Sequence, residues 1–235
     1  TGIDLHTTRT PFSGGSGTLP SGALSRGGAI GVGVVGSAIG AVAGAYFLWR
    51  VGWWPLALIM ALGALAVLIY TPVFARSGVG ELFAGLGLGL LPVTGTALVQ
   101  RGVIGPAAWA AGIPAFFMTF NLLLLNEFPD EAADRGGGRR NLVLMFGRRA
   151  AAGMYALAAI ATPLSIVGAV AIGALPAPAL VGVLPSWFVV PAVTWAFARP
   201  GEPVPIPAMA GNVVWNLTTN LALAAGLAAA AWLGW

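Results

Sequence analysis

The densest group of polar side chains runs Asn126-Glu-Phe-Pro-Asp130-Glu-Ala-Ala-Asp134-Arg-Gly-Gly-Gly-Arg139-Arg140-Asn141. Asn126, Asp130 and Asp134 recur every four residues, so a continued helix places them on one face. Carboxylates one turn apart repel each other unless a cation lies between them. Oxygen ligands of this kind suit a hard ion such as Mg2+, which commonly binds through one or two carboxylates plus substrate phosphates. Arg139 and Arg140, just past three glycines, have the planar fork that grips phosphate oxygens. The competing reading is an ordinary solvated loop, and spacing alone leaves both open.

A second polar stretch, Thr1 to Gly22, contains Asp4, a further candidate metal ligand, and His6, which reads as an incidental loop residue. Its small residues let backbone approach an anion. Gly31-Val-Gly33-Val-Val-Gly36 matches a dinucleotide fingerprint in letters, but no strand precedes it and it lies inside an apolar run. With Gly40 and Gly44 it reads instead as a small-residue seam for close helix packing. Asn216-Leu-Thr218 has the letters of a glycosylation sequon but sits in an apolar segment and carries no weight.

The elements that must hold these groups are apolar throughout. Of 235 residues, 58% are hydrophobic and 8% charged, with mean hydropathy +0.89, whereas a soluble domain carries about 25% charged residues. A water-facing surface cannot be coated by so few charges. The formal charge of +4 comes from eleven arginines set singly or in pairs between apolar runs, so no basic stripe exists for nucleic acid to lie on. Cysteine is absent, which excludes disulfides and thiolate metal sites. The chain opens at Thr1, without a methionine and in the middle of a polar stretch, and reads as a fragment cut on its N-terminal side.

Seven windows are long enough to cross a bilayer, which takes about 20 apolar residues as a helix. They are Ile30–Trp49, Trp53–Tyr70, Leu82–Val99, Val103–Leu125, Ala150–Leu175, Pro178–Phe197 and Val213–Trp235. Lipid cannot satisfy open strand edges, so the expected fold class is all-α, an integral membrane helical bundle in a lipid bilayer. Tryptophans near the window ends fit an interfacial belt. If the windows alternate in direction, nine of the eleven arginines fall on one side, with only Arg50 and Arg101 opposite. The positive-inside rule makes that side cytoplasmic. All seven acidic residues lie there too, which the rule does not require. A transporter is disfavoured, because such proteins place ionisable groups at mid-membrane depth and the window interiors hold none.

Together these segments resemble the UbiA superfamily of membrane prenyltransferases. Asn126-x-x-x-Asp130-x-x-x-Asp134, then Gly138-Arg139-Arg140-Asn141-Leu142 and Phe146-Gly147-Arg148, is similar to the family's second aspartate motif. Thr1-Gly-Ile-Asp4 resembles the tail of its first. The 1,4-dihydroxy-2-naphthoate branch is resembled by Thr10-Pro-Phe-Ser-Gly-Gly-Ser-Gly-Thr-Leu-Pro-Ser-Gly22, Tyr70-Thr-Pro72, Gly78-Val-Gly-Glu81 and Leu91-Pro-Val-Thr-Gly-Thr-Ala-Leu-Val-Gln100. Two positions depart from relatives: Arg76 stands near a common lysine, and Arg9 is displaced by one from a common Arg-Pro step.

The resemblance implies one domain over residues 1–235, holding seven of nine transmembrane helices and lacking the first and most of the second. It also implies Mg2+ held by Asp4, Asp130 and Asp134, which are the expected catalytic residues. Asn126, Arg139 and Arg140 are the expected diphosphate-binding residues. The implied substrates are a polyprenyl diphosphate and an aromatic acceptor, 1,4-dihydroxy-2-naphthoate on the way to menaquinone, at the plasma membrane with the site facing the cytoplasm. Other acceptors within the family (4-hydroxybenzoate, homogentisate, a porphyrin-type ring or a glycerol phosphate) stand as alternatives, and lacking the upstream aspartates this chain alone is expected to be inactive.

Overall fold

The computed structural model describes residues 10–13, 15, 17–19, 21–52 and 54–234. Asp4, His6 and Arg9, with the roles expected of them, lie outside these residues. Among the described residues there is no strand, and seven helices are long and apolar enough to cross a membrane. They are α1 (Arg26–Val51), α2 (Leu56–Ser77), α3 (Gly80–Arg101), α4 (Pro106–Glu127), α7 (Arg148–Ala171), α8 (Ala177–Ala198) and α9 (Ile206–Trp232). Two short helices, α5 (Glu131–Gly136) and α6 (Leu142–Phe146), lie between α4 and α7. The expected all-α membrane bundle is what forms.

The helices start where the sequence permits them to start. Pro106 and Pro207 sit in first turns, where a missing N–H is no loss. Ser25 caps α1, its hydroxyl accepting from the Gly28 N–H at 3.0 Å. Inside α2 and α3 the helix widens to π geometry, over Tyr70–Phe74 and Leu86–Leu90. The first widening contains Pro72, which has no N–H to give to the ladder. In α8, residues Ala177–Val189 wind as a 3-10 helix before Val190–Ala198 becomes α-helical, in a stretch holding Pro178 and Pro185.

The main core lies between α4, α7, α8 and α9, where Met118, Leu124, Tyr155, Trp195 and Trp215 are all buried. A smaller cluster around Ile166, Ala179 and Leu223 packs the other half of the bundle. No residue of α1 is buried, which a lipid-facing helix tolerates because acyl chains are as apolar as its side chains. Close approach is bought by glycine where α3 meets α4: a Cβ on Gly89 would stand 2.5 Å from the Ala115 carbonyl oxygen.

Alternation of the spans brings the polar connections to one end, as the sequence implies. The Arg140 N–H donates to the Ala75 carbonyl at 2.9 Å, and the Arg148 side chain reaches the Pro200 carbonyl at 3.1 Å. Thr10 approaches Met209 Sδ at 4.0 Å, and Phe12 packs on the main core. The segment from 10 to 13 therefore lies at the same end.

Candidate functional site at the polar end of the bundle

The expectation of one continued helix through Asn126, Asp130 and Asp134 is corrected at Pro129. Helix α4 ends at Glu127, residues 128–130 form a turn, and α5 starts at Glu131 with Asp130 at its N-cap position. Pro129 supplies no N–H to carry α4 onward. The Asp134 N–H then donates to the Asp130 carbonyl at 2.8 Å, which keeps the two aspartates one turn apart.

Asp134 is buried and held on both sides. The Asn141 amide donates to its Oδ2 at 2.9 Å, and Arg139 Nη1 stands 3.3 Å from its Oδ1. The Arg139 N–H also donates to the Asp134 carbonyl at 2.9 Å, so the glycine turn closes back on α5. Asn141 has a second task. Its Oδ1 accepts from the Leu144 N–H at 2.9 Å and caps α6. Arg140 is exposed and, among the described residues, its guanidinium forms no ion pair.

Two carboxyls that the sequence reading left out of the site stand behind this group. Glu81, the second residue of α3, is fully buried, and its Oε1 accepts from the Leu142 N–H at 2.6 Å. Glu127, the last residue of α4, is buried at the same end of the bundle. The Oε2 atoms of both find no donor. The signal that could have found them is a lone Glu at the edge of each apolar window, at the end where every other acid lies.

Arg148 ties the end of the bundle together. Its guanidinium donates to the carbonyls of Phe128 at 3.2 Å, Pro200 at 3.1 Å and Glu202 at 2.8 Å, and to Glu131 Oε2 at 3.1 Å. The same group lies 5.3 Å from the Phe128 ring centroid. Helix α7, the turn before α5 and the connection before α9 are thereby fixed to one another.

Beneath the polar end a cavity of about 460 Å³ opens between α2, α3 and α4. Phe83, Leu122 and Leu123 form its apolar wall, and Tyr70, Thr119 and Asn126 are its polar points. Gly63, Ala66 and Gly87 widen it, and Phe83 stacks on Phe74 with centroids 3.5 Å apart. A second cavity of about 480 Å³ shares Leu88 and Thr119 with the first and continues toward Asn216 and Asn220 on α9.

The structure thus brings Asp134, Arg139 and Asn141 into contact, sets Asp130 one turn before them, and puts Asn126 in the cavity wall. Among the described residues, no three Asp, Glu, His or Cys side chains converge as a cage for a metal. The side chains gathered here offer oxygen ligands only, and Glu81 Oε2 and Glu127 Oε2 behind them are buried without a hydrogen-bond donor. Such a set fits Mg2+, which keeps waters and substrate phosphates as its remaining ligands.

Comparison with known proteins identifies the family. A model described as the UbiA prenyltransferase family matches residues 2–210. The chain is 30% identical over 135 residues to 1,4-dihydroxy-2-naphthoate octaprenyltransferase of Bacillus subtilis (strain 168), a match covering 56% of this chain and 43% of that relative's length. No solved structure matches. With the family's match running from the first polar stretch into α9 and an all-helical membrane bundle beneath it, the chain belongs to the UbiA prenyltransferase family.

Proposed function

We propose that the protein transfers a polyprenyl group from an allylic diphosphate to an aromatic acceptor, 1,4-dihydroxy-2-naphthoate, with Mg2+ held at Asp130 and Asp134 together with Asp4. The observation that carries this reading is a buried carboxylate, Asp134, clamped between Asn141 and Arg139, in a chain of this family whose apolar cavity has Asn126 of the same polar segment in its wall. The Bacillus subtilis relative's name supports the choice of acceptor. The proposed setting is the plasma membrane, and the arginine distribution supports a polar end that faces the cytoplasm.

Bound Mg2+ supplies positive charge that offsets the charge growing on the departing diphosphate. Arg140 and, once released from Asp134, Arg139 add charge-assisted hydrogen bonds to the same phosphate oxygens. The allylic carbon–oxygen bond breaks and diphosphate leaves with the electron pair. Apolar walls at Phe83, Leu122 and Leu123 hold the tail and exclude water that would quench the allylic cation as an alcohol. An electron-rich ring carbon of the acceptor then forms the new carbon–carbon bond, and with the naphthoate acceptor the carboxyl group is lost as carbon dioxide.

The test is Asp130→Asn with Asp134→Asn in the full-length protein, assayed in membranes with a radiolabelled polyprenyl diphosphate and a panel of acceptors. Mg2+-dependent product should disappear in the double variant, and the wild type should prefer the naphthoate. Retained transfer would overturn the site assignment, and preference for another ring would overturn the acceptor.

A further inference from the structure

We infer that Glu81 is a positioning residue for the diphosphate site, holding Asp134 in place through the backbone of Leu142 rather than by touching substrate. This rests on the function proposed above. Glu81 lies one residue into an apolar span and has no exposed surface, a place where a carboxyl without partners is strongly disfavoured. A glutamate at such a position requires a compensating partner, and the partner is the Leu142 N–H at 2.6 Å, 61 residues away.

The bond matters because of what lies next to it. Leu142 is the first residue of α6, and a helix leaves its first N–H groups without internal partners. Glu81 takes the N–H of Leu142 while the Asn141 side chain takes that of Leu144. Asn141 is then left with its amide aimed at Asp134 Oδ2, 2.9 Å away. Orientation passes from Glu81 to Leu142, to Asn141 and so to Asp134, over side chains with little rotational choice left. A second tie, from the Arg140 N–H to the Ala75 carbonyl at 2.9 Å, pins the same turn to the end of α2. Thus the 75–81 corner holds the 139–142 turn at two points, and the aspartate and both arginines hang from that turn.

Outer partners of this kind typically change metal affinity or activity about 10- to 100-fold when removed. The experiment uses the full-length enzyme in membranes and reads four quantities: kcat, KM for polyprenyl diphosphate, KM for the acceptor, and the Mg2+ concentration giving half the maximal rate. Glu81→Ala should raise the diphosphate KM and the Mg2+ requirement about tenfold or more, with the acceptor KM unchanged. Glu81→Gln keeps an oxygen that can accept from Leu142 and should restore most of the loss. Leu142→Pro removes the donated N–H without altering any charge, at a first helical position where proline is tolerated, and should reproduce the rise. Leu142→Ala controls for the side chain that packs on the main core and should leave the constants unchanged.

A residue that merely supports folding would lower the amount of active enzyme and leave both constants where they are. That result in Leu142→Pro and Glu81→Ala would overturn the inference, as would Glu81→Gln being as impaired as Glu81→Ala. If Glu81→Ala fails to accumulate, Leu142→Pro and Glu81→Gln decide the matter. Transfer persisting in the Asp130→Asn, Asp134→Asn double variant sinks the proposed function itself. Loss there, with unchanged constants in Leu142→Pro and Glu81→Ala, sinks only the role of Glu81.

Discussion

Arg148 and Glu131 meet at 3.1 Å across a separation of 17 residues, and the rest of the same guanidinium is spent on three backbone carbonyls. A lysine has a point charge on a flexible stem and cannot reproduce that fork. Arg148→Lys should therefore destabilise the protein by about 1–2 kcal/mol, seen as a fall in Tm of about 2–4 °C for each kcal/mol lost. Thermal unfolding in detergent measures it, and protease sensitivity between residues 198 and 205 should rise in parallel. An unchanged Tm would show that the four bonds contribute nothing in solution.

Tyr155 makes a second test of polar contacts in an apolar setting. Its hydroxyl donates to Asn212 Oδ1 at 2.9 Å, joining α7 to α9 with both residues buried. Tyr155→Phe leaves the asparagine oxygen without that donor and should lower stability by about 0.5–2 kcal/mol. Denaturation in mixed micelles reads the difference. Stability equal to wild type would mean that Asn212 finds another donor.

Packing of α3 on α4 depends on Gly89. An added methyl would lie 2.5 Å from the Ala115 carbonyl oxygen and 2.8 Å from its carbon. Backbone atoms cannot swing aside, so Gly89→Ala should cost about 1–3 kcal/mol. Gly33→Ala, with nothing within 4 Å of the new methyl, is the matched control and should be neutral or slightly stabilising. Equal Tm values for the two variants would contradict the close approach.

Arg140 and Arg139 should behave differently. Arg139 is already engaged with Asp134, whereas Arg140 points its charge outward with no ion-pair partner among the described residues. On the proposed function, Arg140→Gln should raise the diphosphate KM about tenfold, the worth of one charge-assisted hydrogen bond, and leave Tm unaltered. A KM that does not move would remove Arg140 from the diphosphate site.

What the sequence discloses follows from how local each property is. The spans α1 to α4 and α7 to α9 could be read because length and apolarity belong to one segment at a time. Asp134, Arg139 and Asn141 could be read as a group because only a few residues of turn separate them. The break before α5 is not visible in the four-residue spacing of Asn126, Asp130 and Asp134; Pro129 is the residue that causes it. Glu81 and Glu127 are harder to read for a deeper reason: both lie just outside the apolar windows Leu82–Val99 and Val103–Leu125, where nothing local marks them as buried. Their burial is decided by residues on other helices, among them Leu142, which no single-segment pattern reveals.

The widened turns at Tyr70–Phe74 and Leu86–Leu90 carry a consequence for how this chain tolerates change. Each adds one residue to a turn, and one residue is about 100° of rotation. The face that α3 shows at Glu81 is thus out of phase with the face it shows at Thr94, along what is otherwise a single rod. Shortening Leu86–Leu90 by one residue to restore an ordinary helix would leave every apolar letter in place. It would nonetheless swing the deep half of α3 away from its partners, so hydropathy can stay constant while the bundle loses its register.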